Sequence, residues 1–274
     1  MKRILVCFLI CFLISPSIYA ANNRLRAHQQ KEEYTVEDIQ AEIEFGKEVA
    51  SRIIGQYPLI DNDRLTRYIN LVGKSLAQNT DRPELRFTFG VLATETINAF
   101  SAPGGYIFIT KGAIDAMENE AQLAGALSHE IIHVTQKHIV KELNLKASDS
   151  SAISGFAQIV GGSFDTTKVA FNKVVGDAMN ILFSRGYKVQ DEIEADTKGA
   201  VLMACGEYDP SEMISFFKIM KNAEDHKISD MKKLYPPFDD RIDAIEKIIK
   251  KEGLENGKFQ TKGERFNEYT QKTN

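Results

Sequence analysis

Apolar residues recur every three or four positions along most of the chain, the spacing that gathers side chains on one face of an α-helix. The first such segment begins at Thr35, a residue type that favours helix starts, and a second covers about 62–78. Beyond Lys111 the same period returns in the segments 112–117, 119–140, 168–183, 187–205, 210–223 and 238–251. The pattern therefore predicts a mostly helical protein.

A shorter part of the chain, before Lys111, has the pattern of β-strands. The segment 85–92 predicts one strand, and 97–101 and 106–110 predict two more. The last two flank Ala102-Pro103-Gly104-Gly105, a run of turn-forming residues that favours a hairpin. The expected fold class is therefore α+β, with a small β-sheet beside several helices.

The composition is that of an ordinary globular protein. Of the 274 residues, 43% are apolar and 26% are charged, which excludes collagen-like and intrinsically disordered chains. The 34 Lys and Arg residues against 38 Asp and Glu residues give a net charge of −4, and no long basic run occurs. A nucleic-acid-binding surface is therefore not expected.

The first twenty residues have the pattern of a secretory signal peptide. Two basic residues precede an apolar stretch over 4–14, and a Ser-Pro-Ser break is followed by the small residue Ala20. The alternative is an uncleaved N-terminal anchor, although the apolar stretch is short for a membrane span. We expect cleavage after Ala20, a periplasmic or secreted location, and no transmembrane segment in the mature chain, with peripheral membrane association left open.

Two histidines four residues apart carry the strongest chemical signal. His129 and His133 lie in a predicted helix, where this spacing places both side chains on one face, about one turn apart. Two imidazole nitrogens can then bind one metal ion, as zinc hydrolases require. Glu130 is adjacent, where it could take a proton from water at the metal. The motif predicts one Zn²⁺ per chain.

A third ligand must come from elsewhere in the chain. By helical spacing His138 points roughly 180° away from His129, and we expect it to be a surface or packing residue. Glu192 and Asp196 share one face of a later predicted helix, so one can bind the metal while the other fixes a ligand histidine. Glu194 lies between them, points away and is expected to be solvated.

The combination of these motifs resembles a known family. Glu192-x-Glu-Ala-Asp196 downstream of His129-Glu-x-x-His133 is similar to the zinc metallopeptidases that include HtpX, BepA, LoiP and the CAAX prenyl proteases. Three more segments of this chain resemble segments of the same family: Asn98-Ala99-Phe100, Pro103-Gly104-Gly105-Tyr106 and Gly206-Glu207-Tyr208-Asp209-Pro210. The resemblance covers about 35–250 and implies a mostly helical zincin fold of the gluzincin type.

The resemblance also implies roles for individual residues. His129, His133 and Glu192 would be the zinc ligands, Glu130 the general base, and Asp196 the carboxylate that orients a ligand histidine. An extended peptide substrate would lie against an edge strand formed by Asn98, Ala99, Phe100 and Ser101. The alternative for that segment is a plain structural hairpin.

Departures from the family pattern leave two residues with open roles. Tyr235 stands where soluble members often carry a histidine. A phenol can donate a hydrogen bond to an oxyanion, so Tyr235 is a candidate catalytic residue, with packing as the alternative. The family's Ser-Arg pair is displaced upstream, which leaves the role of Arg185 open, and Arg241 is expected to pair with an acidic neighbour.

These inferences divide the chain into a signal peptide (1–20), a polar lead-in (21–34), a zinc metallopeptidase domain (35–251) and a frayed polar tail (252–274). The predicted function is that of a zinc-dependent endopeptidase of the cell envelope, which hydrolyses unfolded or misassembled proteins. The alternative is a non-catalytic or latent zinc-bound holdase for the same proteins. Latency would follow if the Ser- and Gly-rich segment 147–167 closed over the metal as a flap.

Overall fold

The computed structural model describes residues 35–143, 165–223 and 236–270. Its helices are α1 (Val36–Gln56), α2 (Asp63–Ala77), α3 (Lys111–Ala116), α4 (Glu120–Thr135), α5 (His138–Glu142), α6 (Asp165–Asn180), α7 (Val189–Cys205), α8 (Ser211–Asn222), α9 (Phe238–Lys251) and α10 (Gly263–Thr270). Its strands are β1 (Thr88–Leu92), β2 (Ala99–Ala102) and β3 (Tyr106–Thr110). The predicted α+β class, mostly helical with a small sheet, is confirmed.

Side-chain caps explain where several helices begin. Thr35 accepts a hydrogen bond from the backbone of Asp38, and the Asp38 carboxylate accepts one from the backbone of Thr35, so α1 begins where the sequence predicts. Asn62 and Asn119 cap α2 and α4 in the same way, each accepting from a backbone N–H three residues later. None of the helices in the described ranges has the length and apolar character needed to cross a bilayer.

The three strands form one mixed sheet in the order β1-β3-β2. β1 runs parallel to β3, whereas β2 and β3 form the predicted antiparallel hairpin, with Phe100 opposite Phe108. The turn between them requires glycine, because Gly104 has φ of 76° and a Cβ there would lie 2.7 Å from the Cα of Ile43. β2 is therefore an edge strand of the sheet, and it packs against α4.

Helix α4 lies at the centre of the molecule. Its residues are buried on every face except at Ala126, because α2, α7, α8 and the sheet all pack against it. The ligand-bearing side is covered by α7.

The long helix predicted over 119–140 is interrupted. Helix α4 ends at Thr135, Lys137 adopts a left-handed conformation with φ of 56°, and α5 begins at His138. The Lys137 ammonium lies 2.9 Å from Oε2 of the buried Glu42, which also accepts a hydrogen bond of 3.0 Å from Arg82. A tertiary ion cluster therefore accompanies the break, and neither glycine nor proline marks it in the sequence.

The C-terminal segment up to residue 270 packs on the domain. The sequence analysis instead expected a frayed tail from residue 252. Phe266 of α10 is only 2% exposed. Arg265 donates hydrogen bonds to the carboxylate of the fully buried Glu120, at the first turn of α4. The same carboxylate accepts from the hydroxyls of Tyr68 at 2.8 Å and Tyr208 at 2.6 Å. The polar tail is therefore held by a few specific buried partners.

Several sequence predictions fall outside the described residues. They are the signal peptide and lead-in over 1–34, the proposed flap apart from its last three residues, and Tyr235. Each of these stays a prediction.

Candidate metal centre

Three side chains from two helices converge in the interior. His129 and His133 come from α4, and Glu192 comes from the first turn of α7. The two Nε2 atoms are 2.9 Å apart, and the Glu192 carboxylate oxygens lie 3.5 Å from Nε2 of His129 and 3.6 Å from Nε2 of His133. One potential ligand atom from each residue therefore lies within 4.8 Å of the other two.

The environment of Glu192 fits a metal ligand. Its side chain is 0% exposed, and neither carboxylate oxygen has a hydrogen-bond partner among the described residues. Burial raises the pKa of Glu192 to about 7, although the Arg241 guanidinium at 3.5 Å acts in the opposite direction. A buried carboxylate without hydrogen bonds is costly, and a cation between the carboxylate and the imidazoles would remove that cost.

Asp196 and Arg241 hold His129 in place. Nδ1 of His129 donates to Oδ1 of Asp196 at 2.8 Å, which leaves Nε2 directed at the centre. Arg241 of α9 donates two hydrogen bonds of 2.7 Å to the two oxygens of Asp196. Burial acts to raise the pKa of Asp196, but the guanidinium keeps it below its usual value, so Asp196 stays ionised. The expectation that Arg241 pairs with an acidic residue is met by Asp196.

His133 has a separate set of contacts, centred on His138. Its Nδ1 lies 2.9 Å from Nδ1 of His138, and Nε2 of His138 lies 3.3 Å from Oε2 of Glu194. The ring of Tyr187 stacks on His133 with centroids 4.1 Å apart. Burial holds the pKa of His133 well below its usual value, so the imidazole is neutral, as a metal ligand must be.

The location of His138 corrects the sequence analysis. The prediction extrapolated one continuous helix from His129, but the break at Lys137 redirects the chain and turns His138 back towards His133. His138 is therefore 0% exposed, which fits the packing alternative and not the surface one, and Glu194 is partly buried instead of solvated. No local signal in the sequence marks the break, so spacing alone could not find these two residues.

Glu130 lies between the two histidines in the chain, with its side chain 6% exposed. Burial raises its pKa, while His129 and the Ser101 hydroxyl act in the opposite direction. Glu130 and His129 line one end of a cavity that is otherwise mostly apolar, together with Asn98 and Ala99. A carboxyl group with a raised pKa that lines a cavity is suited to accept a proton.

The predicted substrate strand lies next to this cavity. Asn98 comes just before β2, and its side chain accepts a hydrogen bond of 2.8 Å from the backbone of Ala99. Phe100 packs instead on the far side of β2, where its ring stacks on Phe183 with centroids 4.6 Å apart. Ser101 is buried. Asn98 and Ala99 thus line the same cavity as Glu130, and substrate binding by this segment stays a prediction.

Arg185 lies away from the centre. It forms an ion pair of 2.7 Å with Glu142 at the end of α5, and half of its side chain is exposed. Lys188 contacts the same carboxylate at 2.6 Å. These contacts give Arg185 an ion-pair role with a carboxylate whose side chain is only 5% exposed.

The chain belongs to peptidase family M48, which matches residues 63–249. This confirms the family resemblance carried by the two histidines and the downstream glutamate. The match spans α2 to α9 and includes each of the residues that converge at the centre.

Curated relatives carry protease names. The putative beta-barrel assembly-enhancing protease of Vibrio cholerae is 28% identical over 183 residues, which are 65% of this chain and 37% of that protein. The mitochondrial metalloendopeptidase OMA1 of Schizosaccharomyces pombe is 27% identical over 67% of this chain and 53% of its own length. Metalloprotease YcaL of Escherichia coli is 21% identical over 75% of this chain and 74% of its own. The chain thus spans just over a third of the assembly-enhancing proteases.

Proposed function

We propose that this chain is a zinc-dependent endopeptidase that hydrolyses peptide bonds in unfolded or misassembled proteins of the cell envelope. The observation that carries the proposal is the convergence of two imidazole Nε2 atoms on a buried carboxylate that has no hydrogen bond among the described residues. Membership of peptidase family M48 and the protease names of the relatives support it. The envelope location rests on the signal-peptide pattern of residues 1–20.

His129, His133 and Glu192 would hold the zinc ion. Two neutral imidazoles and one carboxylate form a ligand set that hydrolytic zinc enzymes use. When bound, zinc supplies a Lewis acid that polarises the scissile carbonyl group and makes water more acidic. Asp196 and Arg241 orient His129, and His138 and Glu194 orient His133.

Glu130 is the general base of the proposed reaction. Its carboxylate takes a proton from the attacking water and returns a proton to the leaving amine, so its charge is restored at the end of each cycle. Burial favours proton uptake because it raises the pKa of this carboxyl group. The edge of β2 offers backbone groups to an extended peptide, which provides grip with little dependence on sequence.

The experiment is cleavage of casein, an unfolded protein, by the chain from residue 21 onward, with bound zinc measured in parallel. Glu130→Gln removes the base, and Glu246→Gln on the exposed side of α9 is the matched control. We expect zinc-dependent cleavage by the wild type and Glu246→Gln and none by Glu130→Gln. Equal cleavage by all three would contradict the assignment of Glu130. No cleavage by zinc-loaded wild type would favour the latent or holdase alternative.

A further inference from the structure

A second group of metal-binding side chains, here called the second cluster, lies beside His133. It consists of His138 at the start of α5 and two carboxylates of α7, Asp191 and Glu194. Nε2 of His138 lies 3.3 Å from Oε2 of Glu194 and 3.9 Å from Oδ1 of Asp191. Each of the three residues therefore offers one ligand atom within 4.8 Å of the other two, as is also the case at the candidate metal centre.

The spacing of the second cluster suits a single zinc ion. Zinc binds nitrogen and carboxylate oxygen at about 2.0–2.2 Å, so two of its ligand atoms at a tetrahedral angle lie about 3.4 Å apart. Asp191 and Glu194 are three residues apart on α7, so both carboxylates lie on one face of that helix. The imidazole of His138 favours Zn²⁺ over Ca²⁺ or Mg²⁺, which prefer oxygen ligands alone.

An ion can reach the second cluster from solvent. His138 is fully buried, but the carboxylate side chains of Asp191 and Glu194 are partly exposed, so water can complete the coordination. The Lys198 ammonium pairs with Oε1 of Glu194, whereas Oε2 is the oxygen near His138. Two carboxylates beside one ammonium leave a net negative charge, which attracts a divalent cation.

Hydrogen bonds connect the second cluster to the candidate metal centre. Nδ1 of His138 lies 2.9 Å from Nδ1 of His133, whose Nε2 faces Glu192. When His133 directs a bare Nε2 at the centre, its Nδ1–H donates to His138, whose own hydrogen lies on Nε2. An ion can bind that Nε2 only after the hydrogen has left it. The hydrogen is either lost to water, which leaves one hydrogen for two rings, or carried on Nδ1 of His138, where it faces Nδ1–H of His133.

Binding at the second cluster therefore disturbs His133. With both ions bound, His133 must either turn away from the centre or give up its Nδ1–H, and each change alters the ligand set of the proposed reaction. We expect the centre to fill first. Glu192 has no hydrogen bond to give up among the described residues, whereas Glu194 has to exchange its hydrogen bond from His138 for the ion.

We propose that His138, Asp191 and Glu194 form a second, inhibitory zinc site. The geometry of the second cluster carries the site by itself, and only its effect on cleavage rests on the proposed function. Scarce zinc fills the centre and activates the chain, whereas zinc in excess also fills the second cluster and slows it. The supply of one ion thus sets both limits of the activity.

The first test counts the zinc ions bound per chain by equilibrium dialysis, without any need for cleavage. Asp191→Ala removes a ligand of the second cluster but none of the hydrogen bonds that orient His133, and Asp243→Ala on the exposed side of α9 is the control. We expect two ions on the wild type and Asp243→Ala and one on Asp191→Ala. One ion on the wild type and none on Asp191→Ala would support the second site and contradict the centre. Equal counts on the wild type and Asp191→Ala would overturn the second site.

The second test follows casein cleavage while free zinc is raised in steps. The rate of the wild type and Asp243→Ala should rise and then fall as the second ion binds. Asp191→Ala should reach the same maximum and keep it. An equal fall in Asp191→Ala, or no fall in a wild type that holds two ions, would overturn the inhibitory role. If no chain cuts casein at any zinc concentration, the proposed function fails, while the zinc count still decides the second site.

Discussion

Replacement of His138 by leucine tests how the chain holds its proposed metal ligands. Leucine is similar in size but cannot accept the hydrogen bond from Nδ1 of His133. The Glu194 carboxylate is ionised, with a pKa lowered to about 2 chiefly by the hydrogen bond from His138. Glu194 therefore accepts from Nε2–H of His138, which leaves Nδ1 of His138 to accept from His133. Nε2 of His133 is then free of hydrogen and directed at the centre.

The size of the effect follows from this proton arrangement. In the His138→Leu variant, His133 can bind zinc only with a buried Nδ1–H that has lost its acceptor. Leaving such a donor unsatisfied costs about 1–3 kcal/mol. At about 1.4 kcal/mol per tenfold change, the dissociation constant for zinc should rise about 5- to 150-fold. The range agrees with the roughly 10- to 100-fold losses seen when the partner of a ligand histidine is removed.

The assay is competition between the apo protein and a chromophoric chelator, with zinc added in steps. Ile139→Val, a small change at the buried neighbouring position, is the control for disturbed packing of α5 and should bind zinc as the wild type does. His138→Asn keeps an acceptor in the side chain and should recover part of the affinity. A folded His138→Leu variant that binds zinc as tightly as the wild type would refute the reasoning.

Three further predictions concern stability, each measured by urea unfolding of the metal-free chain. Arg241→Leu leaves the buried charge of Asp196 unpaired and should cost about 3–5 kcal/mol; an unchanged midpoint would argue against the ion pair. Arg265→Ala should cost about 1–3 kcal/mol, because Glu120 loses its charged partner. Arg265 and two tyrosines hold the pKa of Glu120 below its usual value despite burial, so the stabilising contribution of Glu120 is present at neutral pH and fades in acid. The unfolding free energy of Arg265→Ala should therefore depend less on pH in the acidic range than that of the wild type. Gly104→Ala should destabilise the turn before β3, because Cβ would meet the backbone of α1 at a positive φ.

The parts of the site that the sequence predicts are those set by local spacing. His129, Glu130 and His133 follow from the period of a single helix, and that helix is present. Glu192 and Asp196 follow from a second helix, but spacing left open which of them faces the metal. The structure places the oxygens of Glu192 at the imidazole Nε2 atoms and those of Asp196 at Nδ1 of His129. That distinction depends on how α7 packs on α4, which periodicity does not contain.

The parts that the sequence missed depend on contacts between distant residues. His138 was misplaced because a left-handed residue, Lys137, interrupts the helix, and its ammonium is held by Glu42 from a helix far earlier in the chain. The docking of α10 was missed because its polar composition is typical of solvated tails. Its docking contacts join residues far apart in the chain, among them the ion pair between Arg265 and Glu120, which are 145 residues apart.

The carboxylates of α7 explain why the geometry of the candidate metal centre depends on how the helices pack. Within two turns, Glu192 faces the centre, Glu194 accepts from His138, and Asp196 accepts from His129. The same helix thus supplies a proposed ligand, a direct partner for His129 and, through His138, an indirect partner for His133. Asp196 fixes the ring of His129, and Glu194 fixes that of His133 through His138, before any ion binds. Little orientational entropy is therefore left to lose on binding. Because a metal that binds only the native arrangement stabilises it by mass action, loss of the α4–α7 contact should abolish zinc binding, and zinc should in turn protect that contact from unfolding.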